Sequence, residues 1–219
     1  MTMISMIKSI WRGKTLLRTL LNKKCQDVSL LNKKVLDLGS GQKAGTYHDF
    51  FKDKAQEVFT ADMKSGYENH RALDFEKDPL PYDAETFDAV LSFNLFEHIF
   101  NHAQLISEVF RVLKNDGELI GFVPFLINYH PDPQDYFRYT EDALRDIFKR
   151  AGFSDSKIEI IGGGPFMVNY NNLVLSLPKI LRVILLPLYL FLDKVFLKLR
   201  PQAKRRYPLG YFFIVKKHA

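Results

Sequence analysis

The residues best suited to chemistry cluster where short apolar runs end. Val35-Leu36 leads into Asp37-Leu38-Gly39-Ser40-Gly41, an apolar strand closing in a tight glycine turn. Glycines at such a turn let backbone approach a ligand with no Cβ in the way, and open α/β sheets bind ligands at the carboxyl ends of their strands. Gly39, Gly41 and Gly45 are spaced GxGxxxG, whereas a dinucleotide fingerprint is GxGxxG. That spacing disfavours a nicotinamide-dependent oxidoreductase. A second group is Glu97-His98 with His102, which puts imidazoles at i and i+4. The order is not HExxH and no third ligand is indicated, so no metal is expected. No Ser or Cys sits in a nucleophile-elbow pattern, which leaves a catalytic triad without support.

Positioning these residues requires a sheet. Short β-like runs alternate with helical patterns, which predicts βαβ units and a mostly parallel sheet. The predicted strands are Lys34–Leu38, Glu57–Ala61, a brief one near Ala72–Asp74, Phe87–Phe93, Glu118–Phe125, Lys157–Ile161 and Tyr211–Val215. A helix is predicted over Glu141–Ala151, with Thr140 as N-cap, Glu141 and Asp142 in its first turn and Gly152 as its stop. Another covers about Ala103–Leu113 and ends at the turn Asn115-Asp116-Gly117.

Val35-Leu36-Asp37-Leu38-Gly39-Ser40-Gly41 resembles motif I of the class I S-adenosylmethionine-dependent methyltransferases, and later segments follow in that family's order. Thr60-Ala61-Asp62 resembles the end of its second strand, Ala72-Leu73-Asp74-Phe75 the adenine-edge segment, and Phe87 to Asn94 the fourth strand. Glu97-His98-Ile99 matches a tripeptide common after that strand, and Val109 to Leu119 the helix and turn before strand five. The resemblance covers residues 33–161 and a closing strand at 210–217. It implies a Rossmann-like, mostly parallel seven-stranded α/β sheet flanked by helices, with S-adenosylmethionine as cofactor. Gly39, Ser40 and Gly41 would meet the methionine portion, with Asp37 in the strand behind them. Asp62 would accept the ribose hydroxyls and Met63 would pack on the adenine. Asp74, Phe75 and Asn94 complete the expected cofactor set. Lys43 stands where many members carry a third glycine, and Gln42-Lys43-Ala44-Gly45 reads as a lengthened loop.

Methyl transfer asks mainly for positioning, because the sulfonium carbon is already electrophilic. An acceptor hydroxyl or amine must still lose a proton, and a base nearby assists. The tract from His130 to Thr140 follows the predicted fifth strand and supplies His130 as candidate base and Arg138 as candidate clamp for an anionic acceptor. A similar tract occurs in methyltransferases tied to surface-glycan and lipid pathways.

Composition bounds the rest. With 219 residues, 47% hydrophobic and 14% aromatic, the chain can bury one sizeable core. Its single cysteine, Cys25, fits a reducing, cytoplasmic setting. Lys8, Arg12, Lys14 and Arg18 interrupt the N-terminus too often for a secretory signal. The net charge of +6 is partitioned: residues 1–34 and 179–206 each carry eight Lys/Arg against one Asp, while residues 35–178 are net −10. Leucine, isoleucine and phenylalanine interleave the basic ends, which points to an anionic membrane surface rather than nucleic acid. The longest uncharged run there is Val183–Leu192, with Pro187 inside it, and ten residues are too few for a span of about 20.

The expected organisation is a basic amphipathic segment at 1–32, a core at 33–163 and 207–219, and an apolar helical insertion at 164–206. The insertion would lie peripherally on the inner face of a membrane; the alternatives are a lid over the acceptor pocket or a homodimer interface. The expected function is methylation of a small or lipid- or glycan-linked acceptor. The alternative is a membrane-associated cofactor-binding module without turnover.

Overall fold

The computed structural model describes residues 2–40, 55–63 and 70–218. Seven strands form one sheet: β1 (Lys34–Leu38), β2 (Glu57–Asp62), β3 (His70–Ala72), β4 (Phe87–Phe93), β5 (Leu113–Pro124), β6 (Asp155–Gly162) and β7 (Pro208–Lys216). Their order is β3-β2-β1-β4-β5-β7-β6. The first five pair in parallel. β7 runs antiparallel to β5, with the Asp116 amide donating to Lys217 O and the Phe125 amide to Leu209 O. The Rossmann-like α/β expectation holds, with the helical insertion lying before the last strand.

Six helices are described: α1 (Met3–Trp11), α2 (Leu16–Gln26), α3 (His102–Val112), α4 (Glu141–Arg150), α5 (Pro165–Leu173) and α6 (Lys179–Leu199). Local rules explain several boundaries. Thr140 Oγ1 accepts the Ala143 amide at 3.2 Å and caps α4, which buries Leu144 and Phe148. Gly13, at φ +85°, divides the amphipathic N-terminal stretch into α1 and α2. The expected Asn115-Asp116-Gly117 turn is instead taken up inside β5. Phe87 pairs with Leu113 but Ala89 with Glu118, and Asp116 adopts φ +61° in the resulting irregularity.

The chain divides into two compact units. One comprises residues 28–124, 130–159 and 212–219. Its core is the apolar run of the central strands, including Val35, Leu36, Val90, Leu91, Ile120 and Phe122, all fully or almost fully buried. The other comprises residues 1–27, 125–129 and 160–211, so the N-terminal helices and the insertion belong together. Met6, Ile10, Leu16, Tyr170, Val174 and Leu186 form its core. Asp193 of α6 accepts the Phe166 amide at 3.0 Å and the Met167 amide at 2.5 Å, satisfying the free N–H groups at the start of α5. Gly164 makes room for it, since a Cβ there would lie 2.2 Å from Asp193 Oδ1.

Candidate active site

The chain leaves β1 outward to β2 and β3, then returns to β4 on the opposite side. The carboxyl ends of β1 and β4 therefore flank the point where strand order reverses, the usual ligand crevice of such sheets. Gly39 turns the chain there with φ +72°, its amide donating to Ala61 O at 2.9 Å. The left-handed backbone favours glycine, and a Cβ there would come within 3.1 Å of Leu95 Cδ1, so Leu95 would have to shift to admit any larger residue.

The predicted cofactor residues divide by position. Asp37 is buried within β1, Asp62 is the last residue of β2, and Met63 follows it, exposed. Asn94 follows β4 with φ +53°, its amide donating to Phe122 O at 3.0 Å. Ser40 Oγ and Ser92 Oγ, at the carboxyl ends of β1 and β4, are buried with no hydrogen-bond partner among the described residues. Orphaned hydroxyls beside a left-handed glycine turn fit a polar ligand laid across these strand ends. Asp74 is engaged locally: its carboxylate accepts the Glu76 amide at 3.0 Å and Lys77 Nζ at 2.9 Å. Phe75 is a core residue. Gly41 lies outside the described residues.

A polar cluster follows β4. A 3-10 turn, Phe96–His98, precedes α3 and buries Glu97 completely, with neither carboxylate oxygen meeting a hydrogen-bond donor. Burial pushes the Glu97 carboxyl up to about 8. His98 Nε2 lies 3.7 Å and His130 Nε2 3.8 Å from Glu97 Oε1, and the two imidazoles meet edge to face. His98 Nδ1 hydrogen-bonds the Gln134 carbonyl. Burial lowers the His130 pKa, favouring the neutral ring.

His130 is held from behind. Asp135 Oδ2 accepts its backbone amide at 3.0 Å, and Arg138 makes a bidentate ion pair with the same carboxylate. The Arg138 guanidinium and the His130 amide keep the Asp135 carboxyl down at about 2, against an opposing push from burial. Arg138 is thereby committed to Asp135 and to the Phe137 carbonyl.

His102 does not join His98. The 3-10 turn ends at His98 and α3 begins at His102, so the i, i+4 relation of a continuous helix does not apply. The His102 ring packs edge-on against Phe137 and Tyr139 instead. Sequence reasoning missed Glu97 as a site residue. Its signal was the adjacent Glu97-His98 pair directly after a buried strand, joined in space by His130, 33 positions after Glu97.

Residues 36–121 match the family model described as Methyltransferase domain. The chain is 28% identical over 133 residues to a protein of Mycolicibacterium smegmatis described as "Probable S-adenosylmethionine-dependent methyltransferase". That alignment covers 54% of this chain and 51% of the relative, so the chain spans about half the length of this curated relative. Among solved structures, a SAM-dependent methyltransferase from Archaeoglobus fulgidus superposes with a TM-score of 0.64 at 17% identity, covering 96% of this chain and 97% of that one. The Burkholderia thailandensis 1,6-didemethyltoxoflavin-N1-methyltransferase, with S-adenosylhomocysteine bound, gives 0.55 at 16% identity, covering 97% and 82%. The matched domain and the S-adenosylmethionine-dependent relatives, with the strand order and glycine turn in agreement, support a class I S-adenosylmethionine-dependent methyltransferase with S-adenosylmethionine as cofactor.

Proposed function

We propose that this protein methylates a small or lipid- or glycan-linked acceptor, with proton removal falling to the Glu97–His98–His130 cluster. One observation carries the reading. The Gly39 turn, Ser40, Asp62 and Asn94 converge on the carboxyl ends of β1, β2 and β4 at the strand-order reversal, with buried hydroxyls left for a ligand. Bound there, the cofactor supplies an electrophilic methyl group on its sulfonium sulfur. The exposed backbone at Gly39 and Ser40 would hold its methionine end and the Asp62 carboxylate its ribose hydroxyls. With the acceptor positioned against that methyl group, the proton of its hydroxyl or amine would pass to the Glu97–His98–His130 cluster as the acceptor is methylated. Neutral His130, raised on a loop by Asp135, is the cluster member nearest solvent. Arg138 is a positioning residue that acts through Asp135.

A cofactor-binding module without turnover is the competing reading, and labelled-methyl transfer separates the two. The full chain, given radiolabelled S-adenosylmethionine and pools of glycan, lipid and small phenolic or amine acceptors, should label one pool. His130→Ala should lower that turnover by about 10²–10⁴ while leaving affinity for S-adenosylhomocysteine unchanged. No labelled acceptor from any pool, or full turnover in the variant, would contradict the catalytic assignment.

The exposed surface of α6 supports a membrane-associated setting for the protein. Ile180, Ile184, Leu188, Phe191, Val195 and Leu199 are all exposed and spaced by three or four residues, one apolar stripe along the helix. Exposed Lys179, Lys194, Lys198 and Arg200 accompany it. No helix among the described residues is long and apolar enough to cross a membrane. This combination supports peripheral attachment to an anionic bilayer, testable by vesicle flotation.

A further inference from the structure

Three ligand-type side chains converge at the Glu97 cluster, and several of their polar atoms meet no hydrogen-bond partner. Both Glu97 oxygens and His130 Nε2 are buried and unpartnered. The Gln134 carbonyl can only accept, so His98 donates from Nδ1 and presents a lone pair at Nε2. That nitrogen and His130 Nε2 lie 3.7 and 3.8 Å from the same carboxylate oxygen, and one ligand atom from each residue falls within 4.8 Å of the others. Left alone, such an arrangement forfeits the desolvation cost of each group. Zinc–ligand bonds of about 2.0–2.2 Å at tetrahedral angles set donors about 3.3–3.5 Å apart, only slightly closer than the two carboxylate–imidazole distances.

We propose that Glu97, His98 and His130 form a binding site for a divalent first-row transition cation, with Zn²⁺ the closest match to two imidazoles and one carboxylate. Three protein ligands leave a coordination position open, the arrangement of catalytic rather than structural zinc. The supporting contacts suit this role. The Gln134 carbonyl fixes the His98 tautomer and ring, and the Arg138–Asp135 pair fixes the backbone of His130. The His130 side chain is 35% exposed, the most exposed of the three, while its Nε2 faces the buried carboxylate. A hard cation such as Mg²⁺ prefers oxygen ligands and retained waters, and should bind far more weakly. What the cation would do rests on the methyltransferase reading: it would acidify a coordinated acceptor hydroxyl, whose proton would pass to solvent in place of direct removal by the His130 ring.

The test uses the full chain, stripped with a chelator and titrated with Co²⁺ followed by visible absorption, then with Zn²⁺ by calorimetry. S-adenosylhomocysteine affinity is measured on each sample. One equivalent of Co²⁺ should bind with the intense bands of a nitrogen-ligated, low-coordinate ion. Glu97→Gln and His130→Ala should each weaken binding at least about tenfold while retaining affinity for S-adenosylhomocysteine. The wild-type spectrum stands even if a variant does not fold: weak, octahedral-type bands would overturn the site. So would no cation binding by protein that binds S-adenosylhomocysteine, or undiminished binding in both variants. Loss of S-adenosylhomocysteine binding by the wild type would instead undermine the functional reading, whatever the cation does.

Discussion

Asp135 ties the candidate base to the body of its unit. Its carboxylate accepts the His130 amide and both terminal nitrogens of Arg138, which hold it ionised down to about pH 2. The native pKa lies below the ordinary value of 3.8, so the contribution to stability is complete above that value and disappears as pH falls toward 2. Thermal midpoints measured from pH 5 to 2 should fall less steeply for Asp135→Asn than for the wild type in that window. Parallel curves would mean that the ion pair adds nothing. At this scale the sequence is half legible. His130 and the Glu97-His98 pair stand out because polar residues directly follow buried strands. The i, i+4 spacing of His98 and His102 does not bring them together, because the 3-10 turn ends at His98 and α3 starts at His102 behind the N-cap Asn101. Asp135 was unreadable as an anchor, because its partner Arg138 carries the same residue type a substrate clamp would.

At the scale of elements, α6 presents the clearest test. Its buried side reaches Leu186 and Asp193, whereas the stripe from Ile180 to Leu199 faces solvent. If that stripe lies on a bilayer, flotation should require anionic lipid and weaken with salt, at about 1 kcal/mol per basic residue near the surface. Replacing Ile184, Leu188 and Phe191 by Ser should abolish it. Protein that remains in the soluble fraction with anionic vesicles at low salt would contradict the bilayer reading and leave a dimer interface or lid for the stripe. The composition of residues 173–200 announces an apolar, basic helical segment. It does not announce α5 as a separate helix, because the cap from Asp193 to the Phe166 and Met167 amides joins residues 27 and 26 positions apart. Local patterns carry no information about such a cap.

Across the whole molecule, the alternation of strand and helix patterns around Gly39 was enough to predict a mostly parallel sheet with the helical insertion before its last strand. The assignment of the N-terminal helices to the same unit as residues 160–211 was not readable, since their cohesion depends on Met6, Ile10 and Leu16 meeting Tyr170, Val174 and Leu186. Apolar spacing shows which face of a helix is buried, not which distant segment covers it. The central claim concerns the strand ends at the reversal point, and calorimetry with S-adenosylhomocysteine, NAD and Asp62→Ala tests it most directly. S-adenosylhomocysteine should bind one to one and NAD should not. Asp62→Ala should lose hydrogen bonds to a charged acceptor worth roughly 1.5–3 kcal/mol each, reducing affinity tenfold or more. Failure of the wild type to bind S-adenosylhomocysteine, or unchanged affinity in the folded variant, would contradict the account.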